Sequence, residues 1–228
     1  MIFLKRILIK ILPVKIINLL KRTLKKQKIN NQNPKNQSLD IYYDGKMAEI
    51  LDTWGERSTW IEIQHLLFDK KAKVLDIACG TGKVIQILNN IGIKDVHGCD
   101  ISDFLINKAK QKGIPSEKLV VCDATNLLYE ENSFDYSYSI GSLEHFTEEQ
   151  IEKFLISVKK VTKLYSFHQI PMSRSNTDEG WITPYQSYFN NSEAWWYNHC
   201  KKVYEDVKIL DSTWEDDRSV GKWLILKK

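Results

Sequence analysis

At 228 residues, with 43% apolar and 27% charged side chains, the chain is long enough for one sizeable core and has an ordinary globular composition. Its net charge of +4 conceals a segregation: residues 1–39 hold ten Lys/Arg and no acid, whereas residues 40–228 carry 23 Lys/Arg against 29 Asp/Glu. A mildly acidic body argues against a nucleic-acid groove. The four scattered cysteines, with no Cys-x-x-Cys pair, argue against a disulfide framework or a cysteine metal site and point to a reducing, cytoplasmic compartment.

The chain opens with a basic amphipathic arm, residues 1–28. Leu4, Ile7, Leu8 and Ile11 share one helical face and Lys5, Arg6 and Lys10 another; Pro13 interrupts the run, and Val14, Ile17 and Leu20 with Lys15, Arg22, Lys25 and Lys26 resume it. Its longest apolar run is four residues, against the roughly 18–20 needed to cross a bilayer. Two readings stand: a helix lying peripherally in the inner membrane face, its cations near anionic headgroups, or a helix packed on a partner. Residues 29–39 are polar, contain Pro34 and read as a linker.

From residue 40 the pattern changes. Residues 42–68 read as two helical pieces around Gly55. Strand-like segments then follow at Lys73–Ala78, Val96–Asp100, Leu119–Asp123, Tyr136–Ile140 and Leu164–Ile170, with helix-like segments at Val84–Ile91, Asp103–Lys112 and Glu148–Val161. Short apolar strands alternating with helices predict an α/β domain with a mostly parallel sheet and helices on both faces. A helix near Glu193–Lys202 and strands near Asp206–Asp211 and Gly221–Lys227 follow, and two strands without a helix between them predict an antiparallel hairpin closing the sheet.

Open α/β sheets bind ligands beyond the carboxyl ends of their strands, and the first three strands carry Asp76, Asp100 and Asp123 near those ends. The turn in "VLDIACGTGKVI" tests which ligand. A P-loop fails because Ile77 stands where its first glycine belongs and Val84 follows Lys83; a Gly-x-Gly-x-x-Gly fingerprint fails at Ile85. An acid inside the motif and no demand for phosphate remain. Hydroxyls and an amino group suit such carboxylates, and the glycines let backbone approach a ligand closely.

"VLDIACGTG", Asp100 of "VHGCDIS", Asp123-Ala124 of "VVCDATNL" and "FDYSYSIGSLEHF" together resemble the class I S-adenosylmethionine (SAM) dependent methyltransferases over roughly residues 40–228. The resemblance implies a seven-stranded Rossmann-like sheet with SAM as cofactor. It implies that Asp100 holds the ribose hydroxyls, that Asp123 and Ala124 meet the adenine, that Asp76 orients the methionine amino group, and that Gly80 and Gly82 make room for the methionine portion. Ala78, Ile101 and Ile140 complete the implied cofactor set.

Methyl transfer needs alignment and exclusion of water, and a base where the acceptor is a hydroxyl. His145, just past the fourth strand, and His168, at the end of the fifth, are the candidate bases, with Glu144 behind them. Arg174, Trp181 and Tyr185 in the insert 171–191 are candidates for the acceptor pocket, and Tyr42, Tyr43 and Trp54 for a lid. The expected activity is O-methylation of a small-molecule, glycan or lipid-linked acceptor at the cytoplasmic membrane surface, with no nucleic-acid partner. The alternative is a non-catalytic scaffold recruited by its arm.

Overall fold

The computed structural model describes residues 40–183 and 186–228; the amphipathic arm and linker, and Tyr185 of the insert, lie outside the described residues. Two short helices come first, α1 (Gly45–Leu51) and α2 (Thr59–Leu66). The alternating core follows: β1 (Lys73–Ile77), α3 (Lys83–Asn90), β2 (Asp95–Asp100), α4 (Asp103–Gln111), β3 (Leu119–Val121), β4 (Phe134–Ile140), α5 (Glu148–Val161) and β5 (Thr162–Ser173). A small hairpin of β6 (Trp181–Ile182) and β7 (Tyr188–Phe189), helix α6 (Glu193–Lys201), β8 (Asp206–Glu215) and β9 (Ser219–Lys227) complete the chain.

The main sheet has seven strands in the order β3-β2-β1-β4-β5-β9-β8. The first five are parallel, β9 runs antiparallel to β5, and β8 pairs antiparallel with β9. The predicted α/β class and closing hairpin are therefore observed. The strand order reverses between β1 and β4, which opens a crevice beyond their carboxyl ends.

Both faces of the sheet are covered. On one face Val74, Val96, Tyr138 and Trp223 pack against Trp60 and Ile63 of α2, Ile85 and Leu88 of α3, and Ile106 and Ala109 of α4. On the other, Leu75, Ile77, Cys99 and Leu224 pack against Phe154, Leu155 and Val158 of α5 and Trp196 and Cys200 of α6. Local sequence sets the helix starts. Ser102 accepts the Leu105 N–H, and Thr147 and Gln150 form a reciprocal capping box at α5.

All four cysteines are free and buried. Among the described residues no helix is long and apolar enough to cross a membrane. Glu62 on α2 accepts from Ser212 Oγ, the Thr213 N–H and hydroxyl, and the Trp223 indole at 2.5–2.7 Å, fastening the amino-terminal helices to β8 and β9. Burial alone would raise its pKa; those hydrogen bonds outweigh burial and hold it below the usual range.

Candidate functional site

The turn after β1 is built on left-handed backbone: φ is +57° at Ala78, +54° at Gly80 and +72° at Gly82. The Gly80 N–H donates to Asp100 Oδ2 at 2.9 Å and the Ser102 N–H to Asp100 Oδ1 at 2.9 Å. Each carboxylate oxygen has a further lone pair. Burial raises the Asp100 pKa, and the N–H groups of Ser102 and Gly80 oppose the rise. Burial likewise pushes Asp76 well above its ordinary value, the Tyr138 hydroxyl opposing and Asp100 adding to it. Asp123 accepts the Thr125 N–H at 2.8 Å.

Two inner cavities flank this turn. The first, about 60 Å³, is bounded by Asp100, Ile101, Asp123, Ala124, Ile140 and Tyr42, among others. The second, about 40 Å³, is bounded by Asp76, Ala78, Gly80, Lys83, Trp60 and Ile140, among others. An outer cavity of about 260 Å³ opens beside them, its walls formed by Met47, Ile50, Trp54, Pro171, Tyr188 and Trp214, with Glu144, His145 and Gln169 also lining it.

Leu51, at the end of α1, lines all three. Its Cδ1 would stand 3.2 Å from a Cβ placed on Gly80, so only glycine accommodates it comfortably there. Asp52, next in sequence, accepts from Thr81 Oγ1 and Lys112 Nζ, and Ser102 Oγ donates to the Tyr42 carbonyl at 2.8 Å. These contacts hold α1 across the glycine turn.

The structure brings together Asp76, Ala78, Gly80, Asp100, Ile101, Asp123, Ala124 and Ile140 around the inner cavities. Gly82 departs from its expectation. It lines none of the three cavities, and a Cβ there would lie 2.2 Å from Ile114 Cδ1 and 3.2 Å from Ala109 Cβ. Its missing side chain makes room for packing beneath α3.

The two histidines separate. His145 lines the outer cavity and donates from Nδ1 to the Ser187 carbonyl at 2.8 Å, which leaves Nε2 as an acceptor. His168 lines none of these three cavities. It is fully buried, its Nδ1 lies 2.8 Å from Ser139 Oγ, and its ring meets Phe154 edge-on. Side chains alternate along β5, so Gln169 occupies the place expected of His168.

The insert is also revised. Arg174 Nη2 donates to Glu215 at 2.8 Å and to the Asp216 carbonyl at 2.7 Å, tying two loops together. Trp181 packs on Phe189 as a fastener. The residues that sequence reasoning missed are Leu51, Ser142, Gln169, Tyr188, Trp214 and Asp216. Lys83 also had no assigned role; it lines the second cavity, 3.8 Å from Glu56.

Gly141 joins β4 to this site with φ +64°, and a Cβ there would meet Trp54 Cη2 and Cζ2 at 3.2 Å. Gly141→Ala is therefore expected to cost about 1–2 kcal/mol for the left-handed backbone and to displace the indole. Urea unfolding checks the first effect, and the fluorescence of Trp54 checks the second.

The donors and shape fit SAM. Acids face the space where hydroxyls and an amino group need acceptors, Gly80 lies at the floor, and Ser142 Oγ is buried at the first cavity with no partner among the described residues. Among the described residues one cation, Lys83, lines the inner cavities, in keeping with a ligand without phosphate.

Residues 74–164 match the family model of a methyltransferase domain. Probable tRNA methyltransferase 9B from Mus musculus is 29% identical over 111 residues, 48% of this chain and 23% of that protein. A demethylmenaquinone methyltransferase from Staphylococcus aureus is 34% identical over 99 residues, 42% of this chain and 39% of that protein. The chain thus spans less than half the length of these curated relatives. The crystal structure of a SAM-dependent methyltransferase from Mesorhizobium loti superimposes with a TM-score of 0.60 at 15% identity, covering 78% of this chain and all of that one. Matched domain and strand order agree: the chain has the Rossmann-like fold of solved SAM-dependent methyltransferases, and its residues 74–164 match a methyltransferase domain.

Proposed function

We propose that the protein transfers a methyl group from SAM to the oxygen of a small-molecule acceptor, lipid-linked rather than a free glycan, at the cytoplasmic membrane surface. One observation carries this reading: the outer cavity adjoins the inner ones, sharing Leu51 and Gly141 with the first and Leu51 and Trp54 with the second. An acceptor in the outer cavity is thereby placed against the cofactor. Bound SAM supplies an electrophilic methyl on a sulfonium. Asp76, Asp100 and Asp123 orient that cofactor, while Leu51, Trp54 and Tyr42 exclude water from above.

The walls of the outer cavity favour an apolar acceptor. Met47 and Ile50 line the cavity, and Ile50 is exposed. Flotation of the full chain with anionic liposomes, with and without residues 1–30, tests the membrane half. The full chain is expected to float and the truncated chain to stay behind; equal recovery of both removes it. Calorimetry with SAM tests the enzyme half, and absence of binding by the wild type overturns it.

An RNA acceptor is the second reading, favoured by the name of the mouse relative and by the ten cations of residues 1–39. Salt-dependent binding of tRNA in a filter assay would support it. The acidic body and the outer cavity, which no Lys or Arg among the described residues lines, weigh against it. A scaffold without catalysis would show neither methyl transfer nor need of Asp100 and Asp123.

A further inference from the structure

The deep end of the outer cavity holds two buried polar atoms with no hydrogen-bond partner among the described residues, Glu144 Oε2 and Gln169 Nε2. Glu144 is 4% and Gln169 1% exposed. Burying such groups unpaired is costly, so a ligand that pairs both is strongly favoured. Among the described residues no lysine or arginine lines the cavity, and its other acid, Asp216, is exposed. An anion entering here would lose its hydration and meet no cation. The walls are flat and aromatic, from Trp54, Tyr188 and Trp214.

Resting on the methyltransferase reading above, we propose that the acceptor is an uncharged planar molecule with a phenol-type hydroxyl, and that Glu144 takes the hydroxyl proton. The hydroxyl oxygen forms the new bond to the methyl carbon, the bond from that carbon to sulfur breaks with its electron pair left on sulfur, and the proton moves to the Glu144 carboxylate. A neutral ether, a neutral thioether and a protonated Glu144 result, so charge balances. His145 Nε2 lies 3.6 Å from Glu144 Oε1, beside the carboxyl that takes the proton. Gln169 Nε2 donates to the acceptor's oxygen or to a second polar group on its ring.

Burial pushes the Glu144 carboxyl up to about 8. That sits close to the pKa of about 10 of a phenol, and an aliphatic alcohol lies far beyond it. The groups facing Glu144 do not titrate there. Burial holds His145 neutral, down to about 4, and burial raises both Tyr42, ahead of α1, and Tyr188, on β7, above their ordinary value. Methyl transfer therefore rises with pH through about 8, as Glu144 becomes able to accept a proton.

The test uses the full chain with SAM and two probes of one size, 2-naphthol and 2-naphthoate. Calorimetry is expected to show 2-naphthol bound at least tenfold more tightly, and chromatography to show its methyl ether as product. Glu144→Gln should bind SAM and 2-naphthol within threefold of wild type, yet lose transfer at least 100-fold together with the rise through pH 8. Equal or tighter binding of 2-naphthoate, rejection of 2-naphthol by a SAM-binding wild type, or a variant that keeps the rate or the rise overturns the proposal. Should Glu144→Gln not fold, the wild-type pH profile decides by itself, a flat profile through pH 8 counting against Glu144. Failure of the wild type to bind SAM would strike the methyltransferase reading instead, which keeps the two separable.

Discussion

Asp100→Ala is expected to weaken SAM binding thirtyfold or more, the largest single effect of any cofactor-side substitution. The carboxylate sits at the end of β2 with one backbone N–H on each oxygen and a lone pair of each left for ligand hydroxyls. A hydrogen bond to a charged group contributes roughly 1.5–3 kcal/mol, and about 2 kcal/mol corresponds to a factor of about 30. Alanine also leaves the Gly80 and Ser102 N–H groups without acceptors, so the glycine turn itself loosens and the ligand-free protein melts earlier. Asp100→Asn separates the contributions. It keeps one acceptor oxygen and the shape, but it turns an amide N–H₂ toward a backbone donor and offers ribose a poorer acceptor. Titration calorimetry of both variants, with thermal melts of the ligand-free proteins, is the measurement; wild-type affinity in Asp100→Ala would show that the hydroxyls bind elsewhere. Asp123→Ala should cost less, because its carboxylate is exposed and caps a single N–H. Burial raises the Asp100 pKa, so SAM binding should fail on acidification earlier than an ordinary aspartate would dictate.

The acids at 76, 100 and 123 were legible because each falls at or near a strand end, and the alternation of apolar strands with amphipathic helices marks where those ends lie. The same periodicity located α3, α4 and α5 within a residue of their observed limits. Other features were hidden by the kind of information a linear pattern carries. Strand β5 runs on to Ser173, past the expected end at Ile170, because Pro171 is accepted opposite Gly221 on the neighbouring strand. Strands β6 and β7 have two residues each and leave no periodic trace.

That Gln169 and not His168 reaches the crevice turns on one residue of register. The run "FHQI" lies in a strand buried on both faces, so hydropathy does not say which side chain reaches the crevice. Leu51 and Trp214 reach the site through tertiary contacts alone, one from a helix ahead of the sheet and the other from the irregular end of β8. Gly82 was misread for a related reason. A glycine at a helix start looks the same in sequence whether a ligand or a neighbouring Ile114 fills the space above it.

His168 should govern how the protein responds to acid. Its ring is fully buried, Nε2 has no partner among the described residues, and burial lowers its pKa to about 3; His145 is lowered to about 4. In the unfolded chain each titrates near 6.5. Below that pH the unfolded state binds protons that the folded state refuses, so each histidine contributes stability that is present above about 6.5 and lost as pH falls, by up to about 1.4 kcal/mol per pH unit. Glu144 acts in the opposite sense. Its folded pKa of about 8 lies above the unfolded value, so its contribution is full at low pH and lost as pH rises through 8, which partly masks the histidines in the wild type. The difference between wild type and His168→Asn removes that masking. The shorter amide still reaches toward Ser139 Oγ and never ionises, but it leaves unfilled volume beside Phe154, a loss of about 2 kcal/mol at pH 7.5. That gap should close by about 1.4 kcal/mol per unit between pH 6 and 4.5, so the variant approaches the wild type in acid. Urea unfolding at pH 7.5, 6 and 4.5 reads it directly; a gap that stays constant would mean that His168 binds its proton in the folded state after all.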